Sequence, residues 1–333
     1  MRASVLVTRA SFPDIVDRLR THFDVSDNPS DTLWTQDELI ERLQGKDGAM
    51  TAGSDRIDAR LLDACPQLKA VCNIGVGYNN VDVAACTERG VLLTNTPDVL
   101  TDTTADFGFA LMMAAARRIT ESERYVRDGK WITTGRFDML LGADIHGATL
   151  GILGMGRIGQ SIAKRGAHGF GMKVIYHNRT PLAPEVEAQC GARYVEKSAL
   201  MRESDHLIVV VPYSASSHHA IGAAELRQMK SSATLTNIAR GGVVDDAALA
   251  AVLKEGGIAA AGLDVFEGEP RIHPELLACS NVVLTPHIGS ASVATRRAMA
   301  RLTVDNLVAA LGAGPDAGRP PTPVNPEVLR TPA

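Results

Sequence analysis

The segment TLGILGMGRIGQ at positions 149–160 constrains the fold of this chain more than any other. An apolar run, TLGIL, ends in Gly154, Met155, Gly156, Arg157, Ile158 and Gly159, and a helical pattern follows from Gln160 to Gly166. G-x-G-x-x-G alone arises often by chance, but between a strand and a helix it has a physical reason. Gly154 allows a tight turn, Gly156 lets the backbone approach a pyrophosphate with no Cβ in the way, and Gly159 lets helix and strand pack closely. Open N–H groups and the dipole at the helix start then hold phosphate charge. The segment predicts a dinucleotide-binding turn in an α/β sheet rather than an ordinary glycine-rich loop.

The rest of the chain alternates short β-rich runs with helical patterns, as a parallel sheet of βαβ units requires. Upstream, Ser4–Val7, Gly48–Ala52, Lys69–Asn73 and Val91–Thr94 read as strands and Pro13–Phe23 as an amphipathic helix. An Ala-rich helix is expected over Thr101–Thr120, with the threonines and Asp102 of its first turn supplying capping oxygens. The Ala110–Ala116 part of it reads as core at helical spacing. Later strands are Lys173–Tyr176, His206–Val211, Thr234–Asn237, Ala260–Asp264 and Val282–Thr285, apolar enough to be covered on both faces. A last helix, Ser292–Leu311, precedes Gly312–Ala333, where six Pro and three Gly predict an extended tail.

With 333 residues the chain is long enough for two domains. Lys plus Arg number 34 against 38 Asp plus Glu, which gives no basic surface for nucleic acid or for an anionic membrane. The five cysteines are scattered without a C-x-x-C pair, the pattern of free thiols in a reducing compartment. The start lacks a signal-peptide pattern, and the longest apolar stretch, within Phe107–Ala116, is far too short to span a bilayer. A cytoplasmic protein is the expectation. His218, His219 and His273 lack metal-ligand spacing and no H-E-x-x-H occurs, so they read as surface residues and no metal is expected.

Asn178, Arg179 and Thr180 close the strand after the glycine turn, where an NAD-preferring site places Asp or Glu against the ribose 2′-hydroxyl. A carboxylate would repel a 2′-phosphate, whereas a guanidinium grips one through paired hydrogen bonds. NADP(H) is therefore the preferred cofactor, with NAD(H) possible.

Three further strand ends carry unusual polar groups: Arg240, Glu269 and His287. Alone, each has a plain structural explanation, as surface ion pair, loop charge or satisfied core histidine. Together they match the addition of hydride to a 2-keto acid. Arg240 has the planar fork for the substrate carboxylate. His287 is an acid near neutral pH for the developing alkoxide. Glu269 would orient the imidazole through its other nitrogen and complement its protonated form.

With IGVGYNNVD at 74–82, GMGRIG, NIARGGVVDD, GLDVFEGEP and PHIGSA in this order, the chain resembles the D-2-hydroxyacid dehydrogenase family over almost its whole length. It is most similar to the glyoxylate/hydroxypyruvate reductase and 2-ketogluconate reductase branch. The resemblance implies two α/β domains with parallel sheets, Rossmann-like and flavodoxin-like, and an active site in the cleft between them. Residues 1–99 with 290–333 would form the substrate domain and 100–289 the coenzyme domain, hinged near Asp98–Thr101 and Gly289–Ser292. It implies that Val76 and Gly77 meet the substrate through backbone amides and that Ser290 lies at its edge. Thr104, Val211, Pro212, Ile238, Asp264 and Gly289 would line the cofactor. It also implies a homodimer held by the coenzyme domain, with Glu121–Asp144 as a crossing arm. Met139 stands where some relatives carry a Trp that reaches the neighbouring active site. Two other readings share this scaffold: a dinucleotide-sensing regulatory protein like the C-terminal binding protein corepressors, and a formate or phosphonate dehydrogenase. Glu269, where a formate enzyme would carry Gln, argues against formate oxidation.

Overall fold

The computed structural model describes residues 2–330, which divide into two compact units, Met1–Leu100 with Ala291–Ala333 and Thr101–Ser290. The first unit holds strands β1 (Ser4–Val7), β2 (Asp24–Asp27), β3 (Gly48–Thr51), β4 (Ala70–Asn73) and β5 (Leu92–Thr94). They form one parallel sheet in the order β2-β1-β3-β4-β5. The alternation of a strand explains its two-sided core. Val5 and Val7 join the helices Pro13–His22 and Val293–Ala310 on one face, and Leu6 joins Leu39, Leu61 and Cys86 on the other.

In the second unit β6 (Thr149–Leu153), β7 (Lys173–His177), β8 (Ala192–Tyr194), β9 (His206–Val209), β10 (Thr234–Asn237), β11 (Ala260–Leu263) and β12 (Val282–Leu284) follow in chain order. The sheet order is β12-β11-β10-β9-β6-β7-β8, again all parallel. Ile208 packs with the helices Thr101–Ala116 and Arg157–Lys164, while Leu207 and Val209 pack on the opposite side with Leu200 and Leu249. The chain enters this sheet in the middle, winds outward through β7 and β8, and returns to the far side of β6 at β9. Such a reversal opens a crevice at the carboxyl ends of the two central strands, where open α/β sheets take their ligands.

Four expectations are corrected. The helix from Thr101 ends at Ala116 because Arg118 takes a left-handed φ of 53°, and a separate helix covers Ile119–Arg127. Two of its four first-turn side chains do not cap as expected: Asp102 accepts from the Ser161 hydroxyl at 2.6 Å, and the buried Thr104 hydroxyl has no partner among the described residues. The helix after the glycine turn begins at Arg157 rather than Gln160, and a π-helical turn, Arg165–Gly169, continues it. The tail is not free, at least to Arg330; Thr331–Ala333 lie outside the described residues. Pro323 bridges Thr94 antiparallel, Val324 N–H donates to Leu93 O at 2.8 Å, and the buried Asn325 side chain bonds Leu93 N–H and Val91 O. The reason is the exposed edge of β5, whose unpaired backbone groups the tail satisfies. Among the described residues no helix is long and apolar enough to cross a membrane.

Candidate active site

The turn after β6 has the shape its glycines suggested. Gly154 sits at φ 103°, and a Cβ there would press into Val211 and the Val210 carbonyl. A Cβ on Gly159 would run into the Gly154 carbonyl oxygen. Gly156, by contrast, faces nothing within 4 Å, so its backbone is open to an approaching group. Gly156 is also the N-cap of the helix Arg157–Lys164 and offers no capping side chain, so first-turn N–H groups lack a side-chain cap. Asn178 at the end of β7 accepts from Met155 N–H at 2.6 Å and braces the turn, while Arg179 and Thr180 beyond it are exposed. Arg157 is exposed as well, and Ile158 is half-buried. Half-buried Val211 and exposed Pro212 follow β9, on the other side of the switch point. This set fits a dinucleotide: an open backbone cradle, a helix start, and an exposed cation, Arg179, just beyond a strand whose residues include no carboxylate.

A second cluster surrounds the loop after β12. The Asp264 carboxylate is buried and accepts from Ile288 N–H at 2.8 Å, Gly289 N–H at 2.9 Å and the Thr285 hydroxyl at 2.8 Å. Burial pushes the Asp264 carboxyl above its ordinary value, and these three donors with the charge of His287 only partly offset it. The clamp imposes a left-handed φ of 54° on His287. A Cβ on Gly289 would stand 3.2 Å from Asp264 and 3.5 Å from Thr104, so those three residues meet at one point. The Thr104 hydroxyl there is buried with no partner among the described residues, and Ile238, 7% exposed, follows β10 in the same unit.

His287 Nδ1 lies 2.9 Å from Glu269 Oε2, and the other Glu269 oxygen accepts from Phe266 N–H at 2.9 Å. Burial raises the Glu269 carboxyl, but the His287 bond, the Phe266 N–H and the charges of His287 and Arg240 outweigh it and hold the group below its ordinary value. Arg240 is drawn into the same field. Burial lowers its pKa while Glu269 opposes that shift, and its Nη1 donates to Ala239 O at 2.7 Å. Gly241 makes the approach possible, because any Cβ there would collide with the Phe266 carbonyl of the Glu269 loop. The three strand ends thus share one electrostatic neighbourhood.

The family model for the NAD-binding domain of the D-isomer specific 2-hydroxyacid dehydrogenases matches residues 109–289. The chain belongs to that family. A glyoxylate reductase of Thermococcus onnurineus is 46% identical over 332 residues, covering 99% of this chain and 98% of the relative. One of Aeropyrum pernix is 43% identical over 99% and 98%. The crystal structure of the NADPH-dependent glyoxylate/hydroxypyruvate reductase of Sinorhizobium meliloti, with NADP and malonate, is 37% identical at a TM-score of 0.86, covering 100% of each chain. This member of the family therefore carries a nicotinamide dinucleotide-binding domain and is a D-2-hydroxyacid dehydrogenase by its relatives.

The first unit, taken by itself, carries a different kind of surface. After β4, the carbonyls of Val76 and Gly77 are occupied, by Asn95 Nδ2 at 2.8 Å and Asn73 Nδ2 at 3.0 Å. The N–H groups of the same two residues have no acceptor among the described residues. Ser290, half-buried, ends the second unit. Reading the sequence alone misses three things here. Asp264 clamps the histidine loop, Thr285 shares that clamp, and His219 meets Glu267 at 3.0 Å. None leaves a local signal, because each depends on pairing between distant strand ends.

Proposed function

We propose that this dehydrogenase reduces a small 2-keto acid of the glyoxylate, hydroxypyruvate or 2-ketogluconate type to the D-2-hydroxy acid, with NADPH preferred over NADH. The observation that carries it is the Glu269–His287 pair at 2.9 Å, with the Arg240 charge acting on the same carboxylate. A bound nicotinamide supplies the hydride. Glu269 holds Nδ1–H of the imidazole, which directs the Nε2 proton of His287 toward the keto oxygen as it gains negative charge. Arg240 binds the substrate carboxylate through its fork, and a guanidinium stays charged at neutral pH despite burial. The free N–H groups of Val76 and Gly77 are donors for the same acid, with Ser290 at its edge. Thr104 and Asp264 face the cofactor beside the histidine loop. Arg179, with Asn178 and Thr180, takes the 2′-phosphate.

The exposed apolar side chains of Trp131, Ile132, Phe137 and Leu141 support a homodimer in which this arm is covered by the second copy. All five cysteines are free thiols, in keeping with a reducing, cytoplasmic setting. Oxidation of NADPH and of NADH should be followed with glyoxylate, hydroxypyruvate and 2-ketogluconate. Turnover of at least one acid, faster with NADPH, is expected; tight NADPH binding with no turnover of any would sink the proposal. Arg179→Ala should weaken NADPH by about tenfold or more and NADH little. Equal weakening of both would remove the 2′-phosphate role.

A further inference from the structure

We propose that His218, His219 and Glu267 form a binding site for a divalent transition-metal cation such as zinc or cobalt, apart from the catalytic trio. The spacing of the histidines argued against a metal, but the fold adds a ligand that spacing could not reveal. One donor atom from each of the three side chains lies within 4.8 Å of the others. The imidazoles stack at 3.9 Å with their planes 22° apart, so their in-plane lone pairs run nearly parallel, and a shared cation requires the exposed His218 ring to swing out of the stack. His219 Nε2 is 3.0 Å from Glu267 Oε2, and its Nδ1 is 3.8 Å from Asp245 Oδ2. At 3.8 Å, Asp245 adds negative charge behind that second nitrogen rather than a hydrogen bond.

The surroundings favour a cation. Two carboxylates, Glu267 and Asp245, face His219, and no Lys or Arg forms a salt bridge with either among the described residues. The Tyr213 hydroxyl engages His218 Nδ1 at 3.2 Å and leaves Nε2 for coordination. The frame is fixed. His219 is held at a left-handed φ of 48° with its N–H donating to Gly242 O at 2.7 Å, and Glu267 N–H donates to Asp246 at 3.0 Å. Ligands about 2.0–2.2 Å from a tetrahedral centre stand about 3.4 Å apart, so the His219–Glu267 pair is already close enough. The exposed His218 side chain must rotate to bring its nitrogen from within 4.8 Å to about 3.4 Å of the other two donors. Imidazole and carboxylate donors suit zinc, cobalt or nickel rather than calcium or magnesium.

The alternative is a histidine–carboxylate ion pair with no ligand. Titration calorimetry of the purified full chain with zinc chloride in a non-chelating buffer separates the two. We expect one cation per chain with a dissociation constant on the order of micromolar, and absorption of a low-coordinate cobalt site when cobalt replaces zinc. His218→Ala, His219→Ala and Glu267→Gln should each weaken binding by about tenfold or more. His218 is exposed, so its variant tests the site even if the others lose stability; circular dichroism melting checks all three. Zinc should also raise the melting temperature of the wild type and not that of His218→Ala. Absence of one-to-one binding, or binding unchanged in His218→Ala, overturns the proposal.

Discussion

The two sheets end in different chemistry. At the carboxyl ends of the second unit's strands stand ionisable side chains: Asp264, Glu269 and His287, with Arg240 close by. At the corresponding ends of the first unit stand backbone amides, arranged mainly by uncharged carboxamides, with one buried carboxylate, Asp55, accepting from Ala52 N–H and the Thr8 hydroxyl. Asn73 and Asn95 pin the carbonyls of Gly77 and Val76, and Asn80 pins those of Ala52 and Asp55. The difference teaches a division of labour. On the proposed reading, proton transfer needs a group that titrates, carboxylate binding needs a fixed charge, and shaping a recognition loop needs donors that do not titrate. Damage to the second unit should therefore appear in the rate, and damage to the first in substrate affinity.

The largest expected effect tests the rate side. His287→Ala should lower kcat by about 10²–10⁴-fold while leaving dinucleotide affinity in place, checked by steady-state kinetics and fluorescence titration of NADPH. Arg240→Lys keeps the charge but loses the fork. Its kcat/KM should fall by about 10–100-fold, with cofactor binding again spared. Asn95→Ala releases the Val76 carbonyl and should raise KM about threefold to tenfold with little change in kcat. A fall in kcat as deep as that of His287→Ala would break the division between the units.

The smallest effect concerns pH. Glu269 is held below its ordinary value, so the stability it contributes is present above the ordinary carboxylate range and is lost as pH falls through the depressed value. Asp264 is raised, so the sign reverses. Stability declines as pH rises from the ordinary value through the raised one, because ionisation in the buried site is disfavoured. Melting temperatures measured across the acid range should lose the first slope in Glu269→Gln and the second in Asp264→Asn.

Legibility from sequence followed burial. Strands covered on both faces, such as β6, β9 and β10, announce themselves as apolar runs. The edge strands β2 (DVSD) and β8 (ARY) do not, since half-exposed edges carry no apolar pattern and are strands only because a neighbour pairs with them. The tail misled for the same reason: proline density marks extended backbone, but only the open edge of β5 says where it lies. At the site, strand-end position was enough to nominate Arg240, Glu269 and His287. The amides of Val76 and Gly77 were nominated only through the family resemblance, and the Asp264 clamp on the histidine loop was out of reach, because it depends on bonds between distant strand ends.

The left-handed backbone at position 287 limits the alphabet available there. A β-branched or bulky residue is a steric outlier in that region, so Gly, Asn, Asp and His are the side chains that enter it with least strain. Of these, only His exchanges a proton near neutrality. Loop geometry and the proposed acid chemistry thus select the same residue independently, and a change that relaxed one requirement would leave the other still enforcing it.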